Sequence, residues 1–177
     1  MIRSIPTINT ARLALRAMRP EDFDRYAEIW DEPRAMRNLA GPGSGRRRAW
    51  EAFLRDAGHW QMTGFGQWAV IEQRSRRMIR QAGFFYGATP LGEEFDSFAQ
   101  AGWLMVPEAD GSGMAVEAVQ AAHDWFDRVI PGRLVARVPA ACNASCALAR
   151  RLGYVEKARA ENEATLLLRR DGPPGAR

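Results

Sequence analysis

The stretch Gly102-Trp-Leu-Met-Val-Pro-Glu-Ala-Asp-Gly-Ser-Gly-Met-Ala-Val-Glu-Ala118 decides how the rest of the chain is read. It continues an apolar run from Ala99 to Val106 that has the character of a strand, and Pro107 stops it. Gly111 and Gly113 follow, two residues apart. Then Ala115, Val116, Ala118, Val119, Ala122, Trp125, Phe126 and Val129 recur at three- and four-residue spacing, which predicts an amphipathic helix. A strand, a glycine turn and a helix start in immediate succession aim several backbone N–H groups at one point, at the positive end of the helix. Glycine lets the chain approach an anion with no Cβ in the way. The pattern suits an anion cradle, most naturally for a diphosphate. A P-loop would need Lys and then Ser or Thr after the last glycine, where Met114 and Ala115 stand. A dinucleotide fingerprint would need Gly or Ala where Val116 stands, and it usually sits on a chain's first strand. Both fit worse, and an ordinary Gly-rich β–α turn stays open on this segment alone.

Outward from that segment, Arg12–Arg16 alternates and predicts a first strand. A helix is predicted from Pro20 to about Trp30, with acidic residues in its first turn where they suit the dipole. A second is predicted from Ser44, its expected cap, to about Ala57. Gln67–Glu72 and Ile79–Tyr86 predict a hairpin around the polar turn Gln73–Arg77. Arg133–Val138 predicts a strand, Ser145–Leu152 a short helix closed by Gly153, and Tyr154–Arg159 and Thr165–Arg169 two closing strands. The order is β-α-α-β-β-β-α-β-α-β-β, an α+β chain with a mixed sheet in which the strands flanking the central helix run parallel. Residues 1–170 are expected to form one domain and 171–177 a flexible tail.

At 177 residues the chain can bury about two-thirds of its unfolded surface, so it needs no metal or disulfide staple. No apolar run reaches membrane-span length and the first residues lack a signal-peptide core, so the expected compartment is the cytoplasm, with no membrane partner. Cys142 and Cys146 are read as reduced, with no metal site. The net charge is +4, and of the 25 basic residues only Lys157 is lysine. The arginines are scattered, apart from Arg46-Arg47-Arg48, with no aromatic–basic interleave, so no nucleic-acid partner is expected.

The central segment resembles the pyrophosphate signature of the GNAT superfamily of N-acetyltransferases, Gln/Arg-x-x-Gly-x-Gly/Ala. In particular it is similar to the ribosomal-protein alanine N-acetyltransferase branch, which often has an acidic residue first. Here it reads Glu108-Ala-Asp-Gly111-Ser-Gly113, followed by Met114-Ala-Val-Glu-Ala118. Thr10-Ala-Arg-Leu-Ala-Leu-Arg16 resembles the family's opening strand. Gly58-His-Trp, Gly64-Phe-Gly-Gln-Trp-Ala-Val70 and Ala82-Gly83-Phe84 match its middle, and Asn143 to Tyr154 its closing helix motif. The resemblance implies a mixed, mostly antiparallel sheet of about six or seven strands flanked by helices, with a splayed parallel pair. It implies acetyl-CoA as cosubstrate, its pantetheine on the backbone of Leu104, Met105 and Val106 and its pyrophosphate on the amides of Asp110, Gly111, Ser112, Gly113, Met114 and Ala115. It implies direct acetyl transfer to an amine acceptor, a small molecule or a protein N-terminus, and leaves a homodimer open.

The sequence departs from the family in three places. Gln100 stands where many relatives carry a Glu as candidate base, which leaves Glu28, His59, Glu94, Asp96 or a water chain. The family's Asn-x-x-Ser is one residue short, so Asn143 reaches the pantetheine amide only if the loop shifts. Ala149 replaces a common tyrosine, and the acid role falls to Ser145 or to water, with Ser145 also expected to cap its helix. Neither cysteine has a neighbouring His or Lys to depress its pKa, so both read as packing residues. The six tryptophans are read mostly as core, with a place in the wall of the acceptor pocket left open for Trp60, Trp68 and Trp103. The departures also admit a catalytically weak acyl-CoA-binding or regulatory protein.

Overall fold

In the computed structural model, residues 4–31, 45–88, 90–103, 112–160 and 164–175 are described. They divide into two compact units, Met1–Gly83 with Trp103–Ala122 and Phe84–Gly102 with His123–Arg177. The first carries β1 (Ile8–Asn9), β2 (Leu13–Arg16), a 3-10 turn (Pro20–Asp22), α1 (Phe23–Asp31), α2 (Arg46–Thr63), β3 (Gln67–Glu72) and nearly all of β4 (Met78–Phe85). The second carries α3 (Glu93–Asp96), β5 (Ala99–Trp103) up to Gly102, β6 (Leu134–Pro139), α5 (Asn143–Arg151), β7 (Val155–Ala160) and β8 (Thr165–Arg170). The long helix α4 (Met114–Val129) passes from one to the other.

In the first unit β1, β2, β3 and β4 pair in sequence order, all antiparallel. The hairpin register runs from Gln67↔Gly83 to Val70↔Arg80, with an irregularity at Val70/Ile71. Against this sheet Tyr26, Ala27 and Ile29 of α1 meet Ala49, Ala52 and Phe53 of α2, and Ala69, Ile71 and Met78 complete the cluster. The carboxylate of Asp56 is buried here. Asp56 of α2 accepts hydrogen bonds from Tyr26 Oη at 2.8 Å and Gln81 Nε2 at 3.2 Å. Burial pushes its pKa up, against the opposing charge of Arg55 and those two bonds.

In the second unit the strand order is β5-β6-β8-β7. Ala99–Ala101 runs parallel to Leu134–Ala136, as the strand–helix–strand pattern requires, and the other pairs are antiparallel. The described pairing of the parallel strands stops at Ala101↔Ala136, while β6 pairs onward with β8 as far as Pro139. Phe84, His123, Phe126 and Tyr154 pack together, with His123 Nε2 2.9 Å from Tyr154 Oη. Arg170 is only 1% exposed and forks onto both oxygens of Asp127 at 2.7 Å while donating to Leu152 O at 2.7 Å. Asp127→Ala leaves that guanidinium buried without its counter-charge. The expected loss is about 2–3 kcal/mol, less than for a fully enclosed pair because Asp127 keeps some solvent contact. It is to be read as a lower urea midpoint, and Asp127→Asn should lose less.

The α+β class and the mostly antiparallel mixed sheet stand as expected. The strand count needs correction: there are eight strands among the described residues, not six or seven. The addition is β1, and two residues are too few to show alternation. The second helix also differs. It starts at Arg46 after a Gly45 cap with no side-chain bond, and it ends six residues past Ala57. Ser44 lies outside the described residues. Trp60, three residues past Ala57, is fully buried and holds the helix to Gly64, whose N–H bonds to Trp60 O.

Candidate active site

The glycine turn is described from Ser112 onward. Leu104, Met105, Val106, Asp110 and Gly111 lie outside the described residues. The helix starts at Met114, and its first intrahelical bond runs from Glu117 N–H to Gly113 O at 3.0 Å. The amides of Met114, Ala115 and Val116 therefore precede the helical ladder, as the anion cradle needs. Ser112 Oγ accepts from Met114 N–H at 3.2 Å. Gly113 has φ +75°, the left-handed conformation that only glycine adopts cheaply. Among the described residues, the nearest atom that a Cβ there would meet is Arg12 Nη2 at 3.5 Å. Ser112 and Gly113 thus lead directly into the first helical residues, Met114 and Ala115.

Asn143 and Ser145 stand together at the start of α5. Asn143 is its exposed first residue, whereas Ser145 is 7% exposed. Ser145 is not the cap. Cys142 is, because Cys142 N–H bonds back to Pro139 O and Cys146 N–H to Cys142 O, both at 2.9 Å, which starts the helix two residues early. The Ser145 hydroxyl oxygen accepts from Cys142 Sγ at 3.3 Å. Both cysteines are thiols. Burial foremost, then the neighbouring Cys142, raises the Cys146 pKa, which keeps it a packing residue. Ala149 is fully buried.

Of the candidate bases, Glu28 pairs with Arg25 at 2.8 Å and Glu94 with Arg169 at 3.7 Å. Asp96 accepts the N–H groups of Leu91 and Gly92. His59 is partly buried, and burial, then the charge of Arg55, lowers its pKa. It stays neutral, able to accept a proton, further into the acidic range than a solvated imidazole. Gln100 is buried at 9% exposure, with Val135 as its parallel partner. Trp60 and Trp68 are not pocket walls. Both are wholly buried, their indole N–H groups bonded to Gln67 O at 3.0 Å and Pro6 O at 2.9 Å. Trp103 is partly buried.

The sequence reading missed a cluster on the turn itself. Arg12 Nε donates to Glu117 Oε2 and Arg12 Nη1 to Ser112 O, each at 2.7 Å. Thr10 Oγ1 donates to Glu117 Oε1 at 2.6 Å. Burial tends to raise the Glu117 pKa, but the bonds from Thr10 and Arg12 and the charge of Arg12 outweigh it and hold the carboxyl below its usual range. Both partners lie in motif stretches already quoted, and that was the available signal.

A mixed sheet with a parallel strand pair, and a glycine turn opening the helix between those strands, is the arrangement expected of a coenzyme A-dependent acyltransferase. The acetyltransferase (GNAT) domain family matches residues 12–155, most of the chain, and the protein belongs to that family. It is an acetyltransferase, with acetyl-CoA as the donor that membership carries. It is 30% identical to an acetyltransferase from Agrobacterium tumefaciens str. C58, with 96% of each chain covered and a TM-score of 0.78. It is 27% identical to a GNAT-family protein from Bordetella pertussis, with 94% of this chain and 99% of that one covered and a TM-score of 0.83. RimL, a ribosomal L7/L12 α-N-protein acetyltransferase in complex with coenzyme A, shares the fold. There the TM-score is 0.75 at 18% identity, with 94% of this chain and 98% of that one covered. No helix among the described residues is long and apolar enough to cross a membrane.

Proposed function

We propose that the protein is an N-acetyltransferase that moves the acetyl group directly from the thioester of acetyl-CoA to a primary amine, either of a small molecule or of a protein N-terminus. The observation that carries this reading is the turn at Ser112–Ala115, where a left-handed Gly113 opens the amide-lined end of α4. Neutral backbone donors hold a diphosphate without a dedicated counter-charge. The fold shared with RimL supports the branch that modifies ribosomal protein N-termini.

In this reading the amides of Asp110–Ala115 hold the diphosphate, and the backbone of Leu104–Val106 aligns the pantetheine. The amide near Met105 polarises the thioester carbonyl. Asn143 bonds the pantetheine amide from the first turn of α5. Ser145 gives its proton to the departing thiolate. Its oxygen accepts from Cys142 Sγ at 3.3 Å, and a hydroxyl at this place is the group that serves as the acid in this reading. The amine loses its proton to His59 or to a water chain, because Gln100 has no basic oxygen.

A second reading is favoured by Gln100, buried where relatives place a Glu: a coenzyme-binding regulatory protein with little turnover. Release of free thiol from acetyl-CoA, measured over short peptides with free N-termini and over small primary amines, separates the two. Turnover with at least one acceptor is expected, and Ser145→Ala should lower kcat about a hundredfold while the KM for acetyl-CoA moves less than twofold. CoA binding without turnover on any acceptor would favour the regulatory reading.

A further inference from the structure

We propose that Arg12 is a positioning residue for the coenzyme: together with Glu117 it holds the Ser112–Gly113 turn in the shape that receives the diphosphate. This rests on the coenzyme site proposed above. Arg12 stands at the entry to β2, and its partners open α4. Its backbone N–H and Nε donate to the two oxygens of Glu117 at 3.0 and 2.7 Å, and Nη2 lies 2.7 Å from Oε2. Nη1 donates to Ser112 O at 2.7 Å. Thr10, the second donor to Glu117, is itself fixed. Its N–H bonds to Leu13 O at 2.9 Å, its hydroxyl accepts from Leu13 N–H at 3.0 Å, and its carbonyl accepts from Gln73 Nε2 at 3.1 Å. The guanidinium is therefore carried on a rigid strand entry.

The consequence for the turn follows from peptide geometry. In a trans peptide the C=O of one residue and the N–H of the next point in opposite directions. Anchoring Ser112 O on Arg12 turns the Gly113 N–H away from Arg12. Glu117 fixes Arg12 from the first turn of the same helix, so the arginine, the turn and the helix start are locked as one body. The effect is geometric rather than a matter of net field, because the carboxylate neutralises the guanidinium at contact distance. This also gives a physical reason for the opening strand and the central turn to occur in one chain: Thr10 and Arg12 of the first bind Glu117 and Ser112 of the second.

The test compares a ligand that has the diphosphate with one that lacks it. CoA affinity is measured by calorimetry and pantetheine affinity by ligand-observed NMR, on wild type, R12A, R12K, E117Q and the double variant R12A/E117Q, with circular dichroism to confirm folding. R12A is expected to weaken CoA about tenfold and to leave pantetheine within twofold. R12K should recover little, since one ammonium cannot span carboxylate and carbonyl as the planar fork does. The double variant should lose no more than R12A, because both changes break one unit. Should R12A not fold, R12K and E117Q carry the same comparison. Equal CoA affinity in wild type and folded variants, or equal losses for CoA and pantetheine, would overturn the role of Arg12. No binding of CoA by wild type would overturn the coenzyme site, and this proposal with it.

Discussion

Gly113→Trp is expected to lose the stabilisation that CoA confers on the wild-type protein. A ligand that binds only the folded state at a hundred times its Kd adds about 2.7 kcal/mol, several degrees of Tm. Two properties of the position act in the variant. The φ of +75° strains any residue with a Cβ, by roughly 1–2 kcal/mol, so the ligand-free Tm should fall somewhat. Among the described residues the Cβ itself comes no closer than 3.5 Å to any atom, Arg12 Nη2, whereas an indole adds bulk where the amides of Met114 and Ala115 start the helix. Gly113→Ala carries the same strain with only a methyl group, so it should keep part of the CoA-induced shift. That pairing separates loss of stability from loss of the cradle. A tryptophan variant that melts lower yet shifts as far as wild type would show that the diphosphate binds elsewhere.

The turn was legible because its signal is local. Gly113 and the apolar period of the helix that follows it fall within one short stretch, and each follows from backbone sterics or from burial of one face. The hairpin was legible for the same reason: Gln67–Glu72 emerged with its expected bounds, and β4 is displaced from its expected start by one residue. What escaped is non-local or too short. β1 has two residues and takes its identity from pairing with β2. For Trp60 and Trp68 the core and the pocket wall were both open, and nothing in the local pattern reveals that both indole N–H groups are satisfied by backbone carbonyls. The helix at Asn143 starts early because a turn closed on Pro139 puts Cys142 at the cap, and a cysteine is not a residue that a capping rule selects. Arg12 and Glu117 show the limit most clearly. Each sat in a recognised stretch, but a bond between residues so far apart in sequence is set by tertiary structure, and the sequence signals it no further than by carrying both stretches.

Gly83→Ala is expected to destabilise the first unit strongly. Gly83 lies in β4 opposite Gln67 with φ +155°, and a Cβ there would come 2.1 Å from Gly66 O and 2.8 Å from Gln67 Cα. Those atoms are backbone, so no rotamer change relieves the overlap. The strand behind them cannot retreat either, because a Cβ built on Gly66 already falls 2.5 Å from the Trp60 indole, and Trp60 donates to Gln67 O. Relief must come from opening the β3–β4 ladder at Gln67↔Gly83 or from expelling Trp60, and each gives up buried apolar contact. The expected loss is on the order of 4 kcal/mol, enough to unfold much of a marginally stable population. Urea unfolding followed by tryptophan fluorescence would register it as a lower midpoint at unchanged slope. A midpoint equal to wild type would mean that β3 and β4 do not approach this closely, and that Gly83 stands in the Ala82-Gly83-Phe84 motif for some reason other than the room it leaves for Gly66.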